Sequence, residues 1–337
     1  MNFLYFTFGT IIFLLIVADI VKTAFSSNGG GKLTAWVSLG IWHVFFTAAG
    51  KKGNSKLLEY AGPTVLLSIL LVWVIGMWFG FFIVLLSDVD SVINSTTKAK
   101  TDTWEKLYYA GFTLSTLGIG DYIPSNNFWR VFTNIAAYSG LVFITTSITY
   151  FVPVLSAVSL KSKLSLYINS LGKSPQQILL NSWNGKDFNS FFDNVSDLCQ
   201  MLIHHTMNHH SYPVIHYFHK SKIDLAFAPA FVMLDEVHQL LSNVMKDDIS
   251  IDTLKMKMLM TTLDQHLEML QRSYLNDESP NEVTPHLTQL LIEKEDYFKK
   301  TEDNTYYDNK LKERRKFLTI MLEKTGWSWD AVHDNTD

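Results

Sequence analysis

Long uncharged segments alternate with short charged stretches in the first half of the chain. Residues 3–21 are apolar except for Asp19, and residues 63–87 and 128–160 form two further apolar stretches, interrupted only by Arg130 near the start of the second. A helix of about 20 apolar residues is long enough to cross a bilayer. The segment 3–21 follows no basic residue and ends in no small-residue cleavage pattern. We therefore predict a retained first span rather than a signal peptide.

A further apolar segment, residues 33–50, leaves the topology open. It is 18 residues long, at the lower limit for a span. Lysines flank it on both sides, and basic residues prefer the cytoplasmic side. If both flanks are cytoplasmic, the segment lies in the inner interface and the N-terminus is outside. If the segment spans, the N-terminus is inside, and the charge pattern favours the first arrangement. The flanking residues are Lys22, Lys32, Lys51, Lys52 and Lys56.

A short segment between the two clearest spans has a different pattern. Residues 103–115 have the character of an amphipathic helix, and Thr-Leu-Gly-Ile-Gly-Asp follows at 116–121. Glycine adopts positive φ freely, so alternating glycines let successive carbonyls point to one side. A ring of carbonyls can replace the water shell of a monovalent cation, and irregular backbone at membrane depth is tolerated where it lines such a path. The pattern indicates an ion-selectivity filter.

These residues resemble the pore loop of potassium channels, whose filter reads Thr-Val-Gly-Tyr/Phe-Gly-Asp. The two aromatic residues of the family's pore helix match Tyr108 and Tyr109. The second pore loop of the two-pore-domain channels is the most similar, because it tolerates an aliphatic residue at the position of Ile119. It also continues into a tail that matches Asp-Tyr-Ile-Pro at 121–124. The resemblance covers residues 60–160 and does not extend over the second half.

The resemblance implies a role for each of these residues. Four pore loops must surround the ion, so it implies a homotetramer in the lipid bilayer of the plasma membrane. This tetramer would conduct K⁺ passively, without a cofactor and without catalysis. The innermost ion site would use the carbonyl and hydroxyl of Thr116, and Asp121 would brace the filter and add negative charge at its mouth. The outer carbonyls would come from Leu117, Gly118 and Ile119, Gly120 would relieve backbone strain, and Tyr108 and Tyr109 would brace the filter from the pore helix.

Ile119 is the main departure from the family pattern, because most members carry an aromatic residue there. The backbone carbonyl is retained, but the aromatic ring that stiffens the filter backbone in the family is absent. We expect the Ile119 side chain to point away from the ions, against Tyr108 and Tyr109. Two alternative functions follow: a monovalent cation channel of weak selectivity, or a membrane sensor in which the second half of the chain carries the signal.

Two residues of the segment 128–160 are candidates for a gating hinge. Gly140 lies where the family's inner helix carries its hinge glycine, and Pro153 can bend a helix near its inner end. Glycine is also frequent in membrane helices, so hinge and packing site both remain open for Gly140. Gly76 and Gly80 are similarly ambiguous, since their spacing permits close helix approach but is common in spans.

The second half of the chain is polar and acidic. Residues 160–337 carry 19 Lys and Arg against 25 Asp and Glu, a net charge of −6, which gives no reason to expect nucleic acid. A Ser-Pro helix start at 174–175 and leucines at helical spacing predict helices, and the sequence has no Gly-x-Gly-x-x-Gly fingerprint. We expect a cytoplasmic helical domain with an unknown regulatory ligand or protein partner. The leucines are Leu259, Leu263, Leu267 and Leu270.

Histidines cluster early in this half. His205 and His209 lie one helical turn apart, a spacing that suits zinc or copper, although no carboxylate completes a helical site. A dense cluster also suits pH sensing, and structural histidines are the third possibility. The cluster consists of His204, His205, His209, His210, His216 and His219.

The sequence thus predicts an all-α membrane protein with three parts. The N-terminal part, 1–60, holds the first span and an interfacial or second span. A pore module follows at 61–160, and a cytoplasmic helical domain at 161–337. The elements of the pore module are an outer helix at 63–87, a pore helix at 103–115, the filter at 116–121 and an inner helix at 128–160.

Overall fold

The computed structural model describes residues 1–25, 29–243, 245, 249–273 and 309–333. Across these residues the protein is helical, with one pair of short strands. The prediction of an all-α membrane protein is confirmed. The helices are α1 (Phe3–Phe25), α2 (Lys32–Ala48), α3 (Ala61–Leu86), α4 (Thr103–Leu114), α5 (Asn127–Leu171), α6 (Pro175–Ser182), α7 (Asn189–Ser211), α8 (Phe227–Asn243), α9 (Thr253–Ser273), α10 (Asn309–Lys324) and α11 (Asp330–His333), with short 3-10 helices at Lys56–Tyr60, Pro213–Tyr217 and Ile223–Leu225. Strands β1 (Val92–Asn94) and β2 (Tyr122–Pro124) pair antiparallel, with Ile93 opposite Ile123.

Three of the described helical segments are long and apolar enough to cross a membrane, judged by length and composition. They are Phe3–Phe25, Lys56–Leu86 and Asn127–Leu171. Helix α2, which covers most of the ambiguous segment 33–50, has 17 residues and is not among them. Its length agrees with an interfacial helix, and the side of the N-terminus stays a prediction.

The chain divides into two compact units that differ from the predicted three parts. The first unit contains Met1–Ile41, Pro63–Leu155 and Ser211–Val214, and the second contains Trp42–Gly62, Ser156–His210 and Ile215–Asp337. The predicted outer and pore helices correspond to α3 and α4 within two residues. The inner helix was predicted to end at residue 160, but α5 continues to Leu171 because glycine and proline are absent between 160 and Gly172.

Helices α1 and α3 of the first unit approach each other closely at glycines. A Cβ atom on Gly80 would lie 2.9 Å from the backbone nitrogen of Phe13, and one on Gly76 would lie 2.6 Å from Cδ1 of Ile16. Real Cβ contacts are wider than this, so only glycine fits at Gly80 without moving backbone. The Gly-x-x-x-Gly spacing therefore serves close packing here.

Asp19 is a buried carboxylate within α1. Its oxygens accept hydrogen bonds from the Thr34 hydroxyl at 2.6 Å, from the Leu33 backbone nitrogen at 3.0 Å and from Trp73 Nε1 at 3.0 Å. A buried charge is tolerated when hydrogen bonds satisfy it. Here the acceptor also caps the first turn of α2, which explains an acidic residue in an otherwise apolar helix.

Helix α8 forms the centre of the second unit, because its side chains from Phe227 to Leu241 are all buried. The helix nevertheless carries two carboxylates. Asp235 pairs with Arg314, and Glu236 lies 3.1 Å from Arg315 Nε. Burial raises the pKa of Glu236 to about 7, and the neighbouring Arg315 opposes that rise. These pairs join α8 to α10 within the core.

Candidate functional site

The start of the pore helix α4 is tied to the segment that follows the filter. Asp102 and Glu105 form a capping box, in which Glu105 nitrogen donates to Asp102 Oδ1 at 2.8 Å and Asp102 nitrogen donates to Glu105 Oε2 at 2.7 Å. The other oxygen of Glu105 accepts a hydrogen bond from the Tyr122 hydroxyl at 2.8 Å. One carboxylate therefore fixes the helix start and the first residue of β2.

The backbone of the filter alternates in handedness. Three residues have positive φ, with 58° at Thr116, 59° at Gly118 and 84° at Gly120, and the residues between them do not. Positive φ is ordinary for glycine but unusual for a β-branched residue such as Thr116. Such a conformation costs about 1–3 kcal/mol and is typical of functional sites. An alternation of this kind permits successive carbonyls to face one side, and the filter itself stays a prediction.

The filter side chains are uncovered in the single chain. Leu117 is 66% exposed and Ile119 is 51% exposed, although both are apolar. The far end of the filter is held more firmly, because Ser95 nitrogen donates to the Asp121 carbonyl at 2.8 Å. The Asp121 carboxylate interacts with the Tyr108 hydroxyl and accepts a hydrogen bond from Tyr122 nitrogen at 3.1 Å. This arrangement agrees with a bracing role for Asp121 and Tyr108.

Tyr109 is buried and hydrogen-bonded to α5. Its side chain is only 2% exposed, and its hydroxyl shares a hydrogen bond of 2.8 Å with Thr133 Oγ1 on α5. Ile119 is not among the residues that pack on the hydrophobic cluster around Tyr109. Within one chain, the hydrogen bond of Tyr109 therefore joins the pore helix to α5, and the contact between Ile119 and Tyr109 stays a prediction.

Gly140 is a contact point between α5 and the end of the pore helix. A Cβ atom at Gly140 would overlap the Leu114 carbonyl oxygen, and it would lie 2.7 Å from the carbonyl carbon and 3.0 Å from Cα of Leu114. Of the two roles left open by the sequence, this geometry favours packing. Pro153 lies inside α5, and the helix continues through this position.

Comparison with known proteins agrees with this geometry. Residues 68–157, which include α4, the filter and most of the predicted inner helix, match the family model described as "Ion channel". Residues 68–157 are an ion-channel family domain. Over 322 residues the chain is also 26% identical to an "Uncharacterized membrane protein", YdjJ, of Bacillus subtilis (strain 168), a match that covers 94% of this chain and 93% of that protein. No solved structure matches the chain.

Outside the channel domain, the second unit brings four histidines together. The ring centroids of His205 and His209 are 6.0 Å apart, His266 lies 5.4 Å from His205, and His216 lies 5.6 Å from His209. Among the described residues, no group of three or more His, Cys, Asp or Glu is arranged to hold a metal ion. The geometry therefore gives no support to a metal at His205 and His209.

These histidines are neutral at ordinary pH. Burial lowers the pKa of His216 and His266 to about 3, and the nearby positive charge of Lys161 adds to this effect. Burial also holds the pKa of His205 and His209 well below the usual value, with further contributions from neighbouring cationic groups.

Sequence reasoning missed His266, Thr133 and Lys161 as partners of these sites. For His266 a signal existed, because it lies on the same helical face as Leu259, Leu263 and Leu270, and a histidine on an apolar face is buried. Thr133 and Lys161 had no comparable signal, since their roles depend on which residues of other helices they meet.

Proposed function

We propose that this channel is potassium-selective and that four copies of the chain surround one pore. The observation that carries the proposal is the alternating positive φ at Thr116, Gly118 and Gly120, directly after a capped pore helix and within the ion-channel domain. Carbonyls presented to one side in this way suit a dehydrated monovalent cation. The passive path needs neither a catalytic residue nor a cofactor.

The exposure of the filter supports a closed ring of chains. Leu117 and Ile119 present apolar side chains to solvent in the single chain, and one filter segment supplies only one wall of an ion path. A cyclic arrangement of four copies covers these surfaces and completes the path. In the plasma membrane, residues 161–337 would form a cytoplasmic domain that regulates opening.

A monovalent cation channel of weaker selectivity is the second candidate. The observation in its favour is Ile119, which is 51% exposed and lacks the ring that the family uses to stiffen the filter. The two candidates share the path and differ in how rigidly the carbonyls are held.

The test compares two glycines that have positive φ and open space around them. Gly118 lies in the filter and Gly185 in a loop of the second unit, with φ of 59° and 94°. Alanine in a left-handed conformation costs about 1–2 kcal/mol, and 1.4 kcal/mol corresponds to about tenfold in an equilibrium. We expect Gly118→Ala to lower the potassium-to-sodium permeability ratio about tenfold or to abolish flux, whereas Gly185→Ala leaves the ratio unchanged.

The measurement is the reversal potential of purified protein in bilayers under opposing potassium and sodium gradients. A wild-type ratio close to one would favour the weakly selective candidate. No cation flux, or identical ratios for Gly118→Ala and wild type, would refute the assignment of the filter. Light scattering in mild detergent tests assembly separately, since a stable monomer or dimer contradicts the ring of four.

A further inference from the structure

The second unit contains a small cavity with an unusual lining. Its volume is about 50 Å³. Histidine and lysine side chains supply much of its polar surface, and no Asp or Glu is among the lining residues in the described part of the chain. The central polar residues are His205, His209, His216, His266 and Lys161.

His205 contributes the clearest unfilled hydrogen-bonding capacity. The residue is 0% exposed, and neither of its ring nitrogens has a hydrogen-bond partner among the residues that the structure describes. A buried polar group without a partner costs about 1–3 kcal/mol. A neutral imidazole carries one N–H donor, so this ring can give a hydrogen bond to a guest in the cavity.

His266 offers the complementary group. Thr206 Oγ1 donates its proton to the Leu202 carbonyl at 2.8 Å, and the same oxygen lies 2.8 Å from His266 Nδ1. Because a hydroxyl has one proton, Thr206 must accept from His266, which places the imidazole proton on Nδ1. Within the described part of the chain, the buried Nε2 of His266 has no hydrogen-bond partner and presents a lone pair.

Lys161 supplies positive charge to the same cavity. Its Nζ donates to the carbonyls of Phe218 at 2.9 Å and Ile215 at 3.3 Å. These oxygens are neutral, and no carboxylate is among the described residues of the lining, so none of them balances the ammonium charge there. A buried cation is stabilised when an anion pairs with it.

The size of the cavity limits the guest. One water needs about 10–15 Å³ by this measure, so about 50 Å³ holds only a few water-sized groups. A nucleotide is too large. The guest must accept hydrogen bonds from Lys161 and His205 and donate one to His266.

We propose that this cavity binds a small oxyanion that still carries a proton, the chemistry of hydrogen phosphate. Its oxygens accept from Lys161 Nζ and from the His205 ring, and its hydroxyl donates to His266 Nε2. The proposal concerns the second unit alone and does not depend on the selectivity of the pore.

The experiment measures the thermal unfolding midpoint of the full-length protein in detergent at pH 7, with millimolar sodium phosphate against sodium chloride of equal ionic strength. A ligand that binds only the folded state raises the midpoint. We expect phosphate to raise it in wild type, and we expect the shift to disappear in Lys161→Met and in His205→Leu. His204→Leu is the matched control, because His204 is exposed on the same helix, and it should keep the shift.

Sulfate separates the two parts of the recognition. It has the shape and charge of phosphate but no proton to donate at this pH, so its shift should be smaller. A shift with sulfate as large as with phosphate would contradict the role of His266. The proposal as a whole fails if no oxyanion raises the wild-type midpoint above chloride, or if both variants keep the shift. It also fails if zinc alone stabilises the protein through His205.

Isothermal titration of wild type with phosphate provides a second readout if a variant does not fold. One binding site per chain supports the proposal, and no detectable heat at millimolar phosphate overturns it. Neither measurement involves ion flux, so failure of the oxyanion site and failure of the potassium channel proposal can be told apart.

Discussion

Replacing Gly140 by alanine tests whether this residue is a packing site between the pore helix and α5. The added methyl group would overlap the carbonyl oxygen of Leu114, the last residue of the pore helix, and two further backbone atoms lie within 3.0 Å. Backbone cannot rotate away as a flexible side chain can. The variant must therefore displace α5, or the end of α4, or both.

The magnitude follows from these distances. Ordinary contacts of a Cβ atom lie at 3.4–4 Å, whereas the carbonyl carbon of Leu114 would lie at 2.7 Å. The overlapped carbonyl oxygen must be cleared as well, so the two helices must separate or the end of α4 must shift, and the cost is at least the usual overpacking penalty of about 1–3 kcal/mol. Leu114 is two residues before Thr116, so the displacement also reaches the filter.

The assay is the thermal midpoint in detergent, followed by the reversal potential for potassium and sodium. Gly40→Ala is the matched control, because Gly40 is helical and a Cβ atom there meets nothing within 4 Å. We expect Gly140→Ala to lower the midpoint and to change selectivity, while the control is unchanged or slightly more stable. If Gly140→Ala is as stable as the control and conducts normally, Gly140 is not a packing site, and the hinge interpretation gains support.

Two further predictions follow from the buried polar groups. Tyr109→Phe removes the hydrogen bond to Thr133 and should lower the free energy of unfolding by about 0.5–1.5 kcal/mol in denaturant titrations, whereas Tyr138→Phe, at a residue 70% exposed, should change it little. Acidification should destabilise the protein, because the pKa values of His216 and His266 are about 3 when folded and about 6.5 when unfolded, so the unfolded state binds more protons between these values. Each histidine contributes up to about 1.4 kcal/mol to the free energy of unfolding per pH unit, and this contribution is lost as the pH falls from about 6.5. Replacing both histidines with Gln should flatten the pH dependence of the unfolding midpoint.

The sequence was sufficient to predict those features that depend on neighbouring residues alone, such as helix starts and the ends of apolar spans. The Ser-Pro pair at 174–175 predicted the start of α6, and Ser174 Oγ indeed accepts from the Gln177 nitrogen at 3.2 Å. The span 63–87 was predicted within two residues because its apolar character ends at charged neighbours. The positive φ at Gly118 and Gly120 was predictable too, because glycine adopts this conformation freely.

The remaining features depend on partners far away in the chain. The extension of α5 to Leu171 was missed because the lysines after residue 160 signalled a membrane exit, and a charge change does not end a helix. The hydrogen bond between Tyr109 and Thr133 was missed because the partner of a hydroxyl on another helix cannot be identified from the sequence. The meeting of His205 with His266 joins residues on two different helices, which neither periodicity nor composition can foresee.

Asp19 has a consequence for the order in which the protein enters the membrane. A carboxylate at the centre of an isolated membrane helix costs about 2.5–3.5 kcal/mol on insertion scales; Asp19 lies nearer the end of α1, where the cost is smaller, and α1 emerges from the ribosome before any of its hydrogen-bond donors. Leu33 and Thr34 follow within the next fifteen residues, but Trp73 lies on α3 and arrives much later. We therefore expect α1 to be held less firmly in the bilayer before α3 inserts than after Trp73 donates to Asp19. During biogenesis we thus expect α3 to stabilise α1 in the bilayer by supplying the last hydrogen-bond donor for Asp19.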